Sequence, residues 1–111
     1  MKTLAELKGE PLKPRDLLPQ WECLAMLAEE AAELAQAALK LRRVLDDVNP
    51  TRINYTDAVE RLNEEYADVL LSAAQLSVLD EKKILEFVER KKKRWVDHLL
   101  EHRREEEIGG R

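Results

Sequence analysis

The sequence predicts an all-α fold, an antiparallel helical bundle of three long helices preceded by a short N-terminal segment. The 111 residues are rich in Ala, Leu, Glu, Lys and Arg, with three glycines and four prolines, a composition typical of helical domains. Apolar residues recur at the helical spacing of three or four positions. Proline, asparagine and glycine stand where these periodic segments end.

The first 18 residues are expected to form a loosely helical lead-in. Thr3 and Glu6 fit a capping box, and Gly9 can end the short helix that they begin. From Pro19, a residue suited to a first helical turn, a long helix is predicted to reach about residue 47. Its apolar face consists of Leu24, Leu27, Ala31, Leu34, Ala38, Leu41 and Leu45.

Asn49 and Pro50 interrupt the pattern, and a second long helix is predicted from Asn54 or Thr56, either of which can cap it, to about Leu79. Its apolar face consists of Val59, Leu62, Tyr66, Val69, Leu70, Ala73 and Leu76. A third helix is expected to follow Asp80 and to span about 81–105. Its apolar face consists of Ile84, Phe87, Val88, Trp95 and Leu99.

The chain is expected to form one helical domain over residues 19–106, with a flexible tail at 107–111. A chain this small buries a limited core. The first long helix carries alanines on more than one face, which permits close helix approach and suggests burial on several sides. We therefore expect the four-helix-bundle-like core to be completed by association, as a homodimer or homotetramer.

Several classes of protein are disfavoured by the sequence. No apolar run approaches the roughly 20 residues of a membrane-spanning helix, and the N-terminus lacks the apolar segment of a secretory signal. We therefore expect a cytoplasmic protein without membrane contact. A formal net charge of −4 argues against a general nucleic-acid binder. The single cysteine, Cys23, lies among apolar residues and is expected to be a buried, unreactive thiol.

Carboxylate pairs occur on both of the first two long helices. Glu30 and Glu33 are three positions apart, as are Glu65 and Asp68, so each pair lies on one helix face. Structural helices usually place a basic residue one turn from such charges. Here Glu65 alone has one four residues away, Arg61. The negative charge is therefore largely uncompensated within each helix.

A solvated acidic face is the simplest interpretation of these carboxylates. Both pairs border the apolar faces, however, so that packing of the two helices is expected to bring the pairs together. Carboxylates that converge at a partly buried site require a cation among them. Oxygen ligands suit a hard divalent ion, and we expect Mg²⁺, which Mn²⁺ can replace.

At these residues the sequence resembles a known family. The segments EEAAE (29–33) and EYAD (65–68) are similar to the EExxE and ExxD motifs of the MazG-like all-α nucleoside triphosphate pyrophosphohydrolases. That superfamily also includes dimeric dUTPases, dCTP pyrophosphatases and phosphoribosyl-ATP pyrophosphatase. The resemblance covers about residues 20–100, and the segment between the motifs is longer than in many members. It implies a Mg²⁺ site formed by Glu30, Glu33, Glu65 and Asp68, with Glu29 beside it to orient or activate water.

The stretch ERKKKRWVDHL (89–99) concentrates positive charge on the third long helix. Lys92 and Lys93 are interpreted as solvated surface. Counted from Ile84 through Val88, the helical register places Lys91 at an inward position, where a lysine needs an anion. Lys91 and Arg94 are therefore candidates to bind the phosphates of a substrate.

Two tryptophans and one histidine complete the candidate residues. Trp95 and Trp21 are interpreted as residues of the core or its rim, and each is also a candidate to stack on a substrate base. His98 is interpreted as a packed, hydrogen-bonded histidine rather than a ligand.

The function expected from the sequence is Mg²⁺-dependent hydrolysis of a nucleoside triphosphate to the monophosphate and pyrophosphate. Glu29 or Glu33 is the candidate general base. Phosphoribosyl-ATP pyrophosphatase is an alternative, although the segment AMLAEE (25–30) lacks the lysine associated with that branch. A helical interaction protein with an acidic docking face is an alternative of another class, although no stretch sustains a heptad pattern.

Overall fold

Helices account for most of the part of the chain that the computed structural model describes, residues 11–46 and 54–109. In these ranges the chain forms no β-strand, which confirms the all-α prediction. The helices are α1 (Pro14–Leu17), α2 (Gln20–Asp46), α3 (Tyr55–Ala73) and α4 (Glu81–Gly109). The backbone contacts define two units, Met1–Ser77 and Val78–Arg111. The capping box expected at Thr3 and Glu6 and the stop expected at Gly9 lie outside the described residues.

The long helix α2 begins and ends within one residue of its predicted bounds. Its first turn uses the carbonyl of Pro19, which accepts hydrogen bonds from the backbone N–H groups of Glu22 (3.0 Å) and Cys23 (3.2 Å). Proline suits this place because the first N–H groups of a helix have no intrahelical acceptor. Alanine, leucine and glutamate, all strong helix formers, fill most of the next turns.

Helix α3 is capped by Asn54, one of the two residues predicted for this role. The Asn54 Oδ1 atom accepts a hydrogen bond from the backbone N–H of Asp57 at 2.8 Å. The helix ends at Ala73, six residues before the predicted Leu79. Gln75 explains the early end, since its side-chain Nε2 donates to the carbonyl of Leu71 at 2.9 Å. That carbonyl would otherwise accept from the backbone of a continuing helix.

The segment before α2 is attached to the end of α3 by two glutamines. Gln75 accepts a hydrogen bond from the backbone N–H of Arg15 at 3.1 Å. Gln20 donates to the carbonyl of Gln75 at 2.8 Å and accepts from the backbone N–H of Ser77 at 2.9 Å. These bonds close one end of the α2–α3 pair.

Helices α2 and α3 pack against each other along a seam whose central residues are seven positions apart. On α2 this seam contains Cys23, Glu30 and Ala37, and on α3 it contains Ala58, Glu65 and Ser72. Glu30 is half-buried, and the other five residues are buried. The helices run antiparallel, because Glu30 meets Glu65 while Cys23 and Ser72 line one cavity. The seam thus places a pair of glutamates between layers of small side chains.

The predicted apolar face of α2 is partly wrong. Leu27, Leu34 and Leu41 are half-buried as expected, whereas Leu24, Ala31, Ala38 and Leu45 are exposed. The helix is rotated so that the smaller residues of the seam face α3 and the leucines flank it. Small side chains at the contact permit the two backbones to approach closely, which a line of leucines would prevent.

Helix α4 begins, as predicted, directly after Asp80, whose Oδ1 accepts from the backbone N–H of Lys83 at 3.1 Å. It continues to Gly109, four residues beyond the expected end, so residues 107–109 of the predicted tail are helical. Every described residue of α4 is exposed, and α4 is the one helix in the described part of its unit. Over the described ranges, no helix has the length and apolarity that crossing a bilayer requires.

Candidate metal centre

Carboxylates from two helices converge at the middle of the α2–α3 seam. Glu30 and Glu33 lie one turn apart on α2, and Glu65 faces them from α3. One carboxylate oxygen from each of the three lies within 4.8 Å of the other two. Three of the four carboxylates that the sequence predicted to converge are therefore close enough to share one ion.

The fourth predicted carboxylate, Asp68, lies at the edge of this cluster. It is half-buried and one turn beyond Glu65 on α3. Its charge reaches the centre, because it contributes to a raised pKa at both Glu30 and Glu65. Asp68 also lines a cavity together with Glu30. It therefore acts on the cluster electrostatically without belonging to the group of three.

Glu65 is the most buried of the carboxylates, with 3% of its side chain exposed. Its Oε1 lies 2.9 Å from Nε of Arg61, one turn earlier on α3. The Oε2 atoms of Glu65 and Glu30 are buried and have no hydrogen-bond partner among the described residues. A buried carboxylate oxygen without a partner is costly. Two such atoms at one point indicate that the cluster is suited to a cation.

Burial and mutual repulsion raise the pKa of two of these carboxyl groups. The pKa of Glu30 is raised first by burial and then by the charges of Glu33, Asp68, Glu65 and Glu29. Burial also raises the pKa of Glu65, as does the neighbouring carboxyl group of Glu33, although Arg61 opposes the shift. Both groups therefore resist ionisation more than an isolated glutamate does, and a bound cation would reverse this effect.

The donor set fits a hard divalent ion. All three converging groups offer oxygen, the ligand type that Mg²⁺ and Mn²⁺ prefer. Opposite ligands of an octahedral Mg²⁺ are about 4.2 Å apart, twice the metal–oxygen distance of about 2.1 Å. The oxygens of Glu30, Glu33 and Glu65 fall within 4.8 Å of one another, a separation comparable to that distance. Glu33 is exposed, which leaves the cluster open to water and to a ligand from that side.

A small cavity lies next to the cluster, towards the C-terminal end of α3. It has a volume of about 90 Å³, room for about three water molecules. Glu30 and Asp68 line it at the carboxylate end, and Cys23 and Ser72 line it from the next layer of the seam. The prediction that Cys23 is buried is confirmed, with 1% of the residue exposed.

Other candidate residues have different positions relative to the carboxylates. Glu29 is exposed and adjacent to Glu30, on whose pKa its charge acts. Trp21 is 70% exposed. It is nine positions before Glu30, which places it about 180° around α2 and about 13.5 Å along the axis. The structure therefore does not bring Trp21 to the carboxylates of its own chain.

The candidates on α4 lie together on one face of that helix. Lys91, Arg94, Trp95 and His98 line a single open groove. Lys91 is exposed, whereas the sequence predicted an inward position, because the described part of its unit has no second helix to cover it. Trp95 is also exposed (68%). Its role and those of Lys91 and Arg94 in substrate binding stay predictions.

Two features of the site were not predicted from the sequence. Arg61 was noted as the basic neighbour of Glu65, but its direct contact with that buried carboxylate was not foreseen. The cavity beside Cys23 and Ser72 was also missed. The signal for the Arg61 contact was its four-residue spacing from Glu65. The signal for the cavity was the seven-residue spacing of the seam, which hydrophobic periodicity does not detect because its residues are small or charged.

Comparison of the chain with protein-family models, with curated proteins and with solved structures found no match.

Proposed function

We propose that the chain is a Mg²⁺-dependent nucleoside triphosphate pyrophosphohydrolase, related to the MazG-like enzymes, that releases the monophosphate and pyrophosphate. The proposal depends mainly on the arrangement of three carboxylates, because oxygens of Glu30, Glu33 and Glu65 lie within 4.8 Å of one another. Glu30 and Glu65 also each have a buried oxygen without a hydrogen-bond partner among the described residues. Such a cluster suits a divalent cation, and the resemblance of EEAAE and EYAD to the family motifs suits this reaction.

In this proposal the chain contributes mainly carboxylates. Glu30, Glu33 and Glu65 hold the ion, and Asp68 adds negative charge or a fourth ligand. Mg²⁺ held by these residues would supply positive charge to the phosphate oxygens and would ease deprotonation of the attacking water. Hydrolysis places the water oxygen on phosphorus, breaks the bond between the α- and β-phosphates and releases pyrophosphate.

A general base must accept the proton that the attacking water loses. Glu33 is the exposed carboxylate of the cluster, and Glu29, next to Glu30 in the chain, is exposed as well. Either is open to solvent and so suits the transfer of this proton to water. Glu65 is unsuited to this role because it is buried and paired with Arg61. We therefore propose Glu29 or Glu33 as the base.

The basic face of α4 is a second proposed contact for substrate. Lys92 pairs with Glu89 (3.2 Å) and Lys93 with Asp97 (2.8 Å), whereas Lys91 and Arg94 have no ion pair within the described residues. Unpaired cations beside Trp95 suit phosphate oxygens and a base. A Lys91→Gln, Arg94→Gln variant is expected to raise KM, whereas a Lys92→Gln, Lys93→Gln variant with the same charge change is not.

We also propose that the chain assembles as a homodimer or homotetramer. Apolar side chains stay exposed in both units, including Leu39 and Leu71 in the first and Phe87, Val96 and Leu100 in the second. Burial of such side chains between copies would stabilise each unit. Sedimentation equilibrium is expected to give two or four times the chain mass of 12.9 kDa. A mass of one chain at micromolar concentration would contradict this assembly.

The proposed reaction is tested by pyrophosphate release from a panel of canonical and modified nucleoside triphosphates, measured with Mg²⁺ and with EDTA. Release is expected only with the metal, and Glu33→Gln is expected to lower kcat by about a hundredfold or more. Glu86→Gln is the matched control, since Glu86 is an exposed glutamate on α4 with an i,i+3 glutamate neighbour.

Each outcome separates the proposed enzyme from its alternatives. Release that needs both Mg²⁺ and Glu33 would establish the enzyme and its substrate class. Release from phosphoribosyl-ATP alone would assign the biosynthetic branch of the superfamily. A folded chain that hydrolyses none of these compounds would contradict the proposed reaction and favour the interaction protein.

A further inference from the structure

Arg61 connects the buried carboxylates with solvent. Its guanidinium lies 2.9 Å from Glu65, whose side chain is 3% exposed, yet 56% of the Arg61 side chain is itself exposed. Nε is the atom nearest to Glu65, and the guanidinium has no second ion pair within the described residues. The terminal nitrogens are therefore uncommitted donors beside the cluster.

No other cation on the two helices is placed to do the same. Arg61 is the one basic residue of α3, and α2 contains none before Lys40. Along α3, Arg61 precedes Glu65 by one turn, whereas the cavity residues Asp68 and Ser72 follow it. The carboxylates thus have a guanidinium on one side and a small cavity on the other. Arg61 is thus the basic side chain of α2 and α3 that forms an ion pair with these carboxylates.

We propose that Arg61 binds phosphate oxygens of a polyphosphate ligand held at the carboxylate cluster, an inference that rests on the proposed function. A guanidinium suits this role because its planar donors match phosphate oxygens in pairs. Nε is the atom in contact with Glu65, which leaves the terminal nitrogens for the ligand. Arg61 would then join the metal in balancing the charge of the ligand.

A purely structural role makes a different prediction. Arg42 and Asp46 form an exposed i,i+4 ion pair on α2, with 3.8 Å between the nearest nitrogen and oxygen. Arg42→Gln therefore provides a matched control that removes the same charge from a similar pair away from the cluster. Arg61→Lys keeps the charge but loses the paired donors.

The experiment is calorimetric titration of the full chain and of the Arg61→Gln, Arg61→Lys and Arg42→Gln variants. The first titration uses Mg²⁺ alone, and the second uses inorganic tripolyphosphate at saturating Mg²⁺. Arg61→Gln is expected to weaken tripolyphosphate binding by about tenfold or more, the loss of a charge-assisted contact. Its affinity for Mg²⁺ is expected to stay the same or rise, because a positive charge beside the cation is removed. Arg61→Lys should recover part of the loss, and Arg42→Gln should bind both probes as the unaltered chain does.

Weaker tripolyphosphate binding without weaker Mg²⁺ binding is the signature of phosphate binding. If Arg61→Gln lowered Mg²⁺ affinity by about tenfold, as loss of a residue that orients a metal ligand does, Arg61 would act by positioning Glu65 and the inference would be overturned. Unchanged tripolyphosphate affinity in a chain that binds Mg²⁺ and hydrolyses triphosphates would overturn this inference alone. A chain that bound no Mg²⁺ would overturn it together with the proposed function.

Discussion

Glu30 and Glu65 face each other across the seam of α2 and α3, and each has a buried carboxylate oxygen without a hydrogen-bond partner among the described residues. The layers on either side contain cysteine, serine and alanine, which cannot neutralise this charge. The layer of Glu30 and Glu65 thus violates the rule that buried polar atoms have hydrogen-bond partners. Violations of this kind are typical of functional sites.

Replacement of Glu65 by glutamine is expected to stabilise the metal-free fold at neutral pH. Glutamine has the shape of glutamate but removes a charge that repels Glu30, Glu33 and Asp68. Arg61, which loses its partner, is more than half exposed and stays hydrated. Thermal unfolding in EDTA should show a higher Tm for Glu65→Gln than for the unaltered chain.

Addition of Mg²⁺ should reverse the order of the two Tm values, so that the unaltered chain becomes the more stable protein. The unaltered chain is expected to gain about 2.7 kcal/mol when Mg²⁺ exceeds its Kd a hundredfold, whereas Glu65→Gln should gain little. Glu86→Gln, on the exposed α4, should respond to Mg²⁺ as the unaltered chain does. A Glu65→Gln variant that was less stable in EDTA would show that the carboxylate stabilises the fold through its pair with Arg61.

The stability of the metal-free chain is expected to depend on pH through Glu30 and Glu65. Burial raises the pKa of each above the ordinary value of 4.5, so the folded state favours their protonated forms. Their contribution to stability is complete below pH 4.5 and is lost as pH rises through the folded-state pKa values. The Tm advantage of Glu65→Gln over the unaltered chain in EDTA should therefore grow as pH increases above 4.5.

The stability that Mg²⁺ adds should depend on pH in the opposite direction, because the ion binds the deprotonated carboxylates. The increase in Tm that Mg²⁺ produces is expected to be small near pH 4.5 and larger at higher pH. An increase that did not vary with pH would argue against Glu30 and Glu65 as ligands.

The sequence predicted the long helices because their signals are local. Asn54 and Asp80 each accept a backbone hydrogen bond at a helix start, and the carbonyl of Pro19 accepts from the first backbone N–H groups of α2. Residues of this type act on neighbours three or four positions away and can be identified without knowledge of the fold. The end of α3 was predicted too late because it depends on Gln75, whose partners include the distant Arg15.

The carboxylate cluster was predictable for a related reason. Glu30 and Glu33 share one helix face, and Glu65 borders the apolar face of its own helix. Packing of α2 on α3 therefore brings Glu65 beside them. The rotation of α2 was not predictable from hydrophobicity, since the seam uses Ala37 where the pattern favoured Ala38. How closely the two backbones approach decides which alanine lies in the seam. This distance depends on both helices together and cannot be read from the sequence of α2 alone.

Ala37 is expected to tolerate no larger side chain. It is 3% exposed, and the antiparallel register places it level with Ala58, which is also buried. Ala37→Leu should destabilise the fold by about 1–3 kcal/mol because the added atoms force the helices apart. Ala38→Leu, at the neighbouring exposed position, is the matched control and should change stability by about 0.5 kcal/mol or less.

Denaturant unfolding measures both alanine variants, and Mg²⁺ titration of the folded proteins adds a second readout. Because Ala37 lies two turns from Glu30, separation of the helices should also weaken Mg²⁺ binding. If Ala38→Leu proved the more destabilising, the rotation of α2 described above would be wrong.

Cys23 provides a chemical probe of the seam, since it is buried one layer from Glu30. A thiol reagent such as Ellman's reagent can reach it only when the seam opens, so labelling of the native chain should be slow. If opening also separates the carboxylates, Mg²⁺ at a hundred times its Kd should slow labelling by about a hundredfold. Glu33→Gln should abolish most of this protection, whereas Glu86→Gln should retain it. Labelling that was slow but insensitive to Mg²⁺ would mean that the layer of Cys23 opens independently of the carboxylate layer.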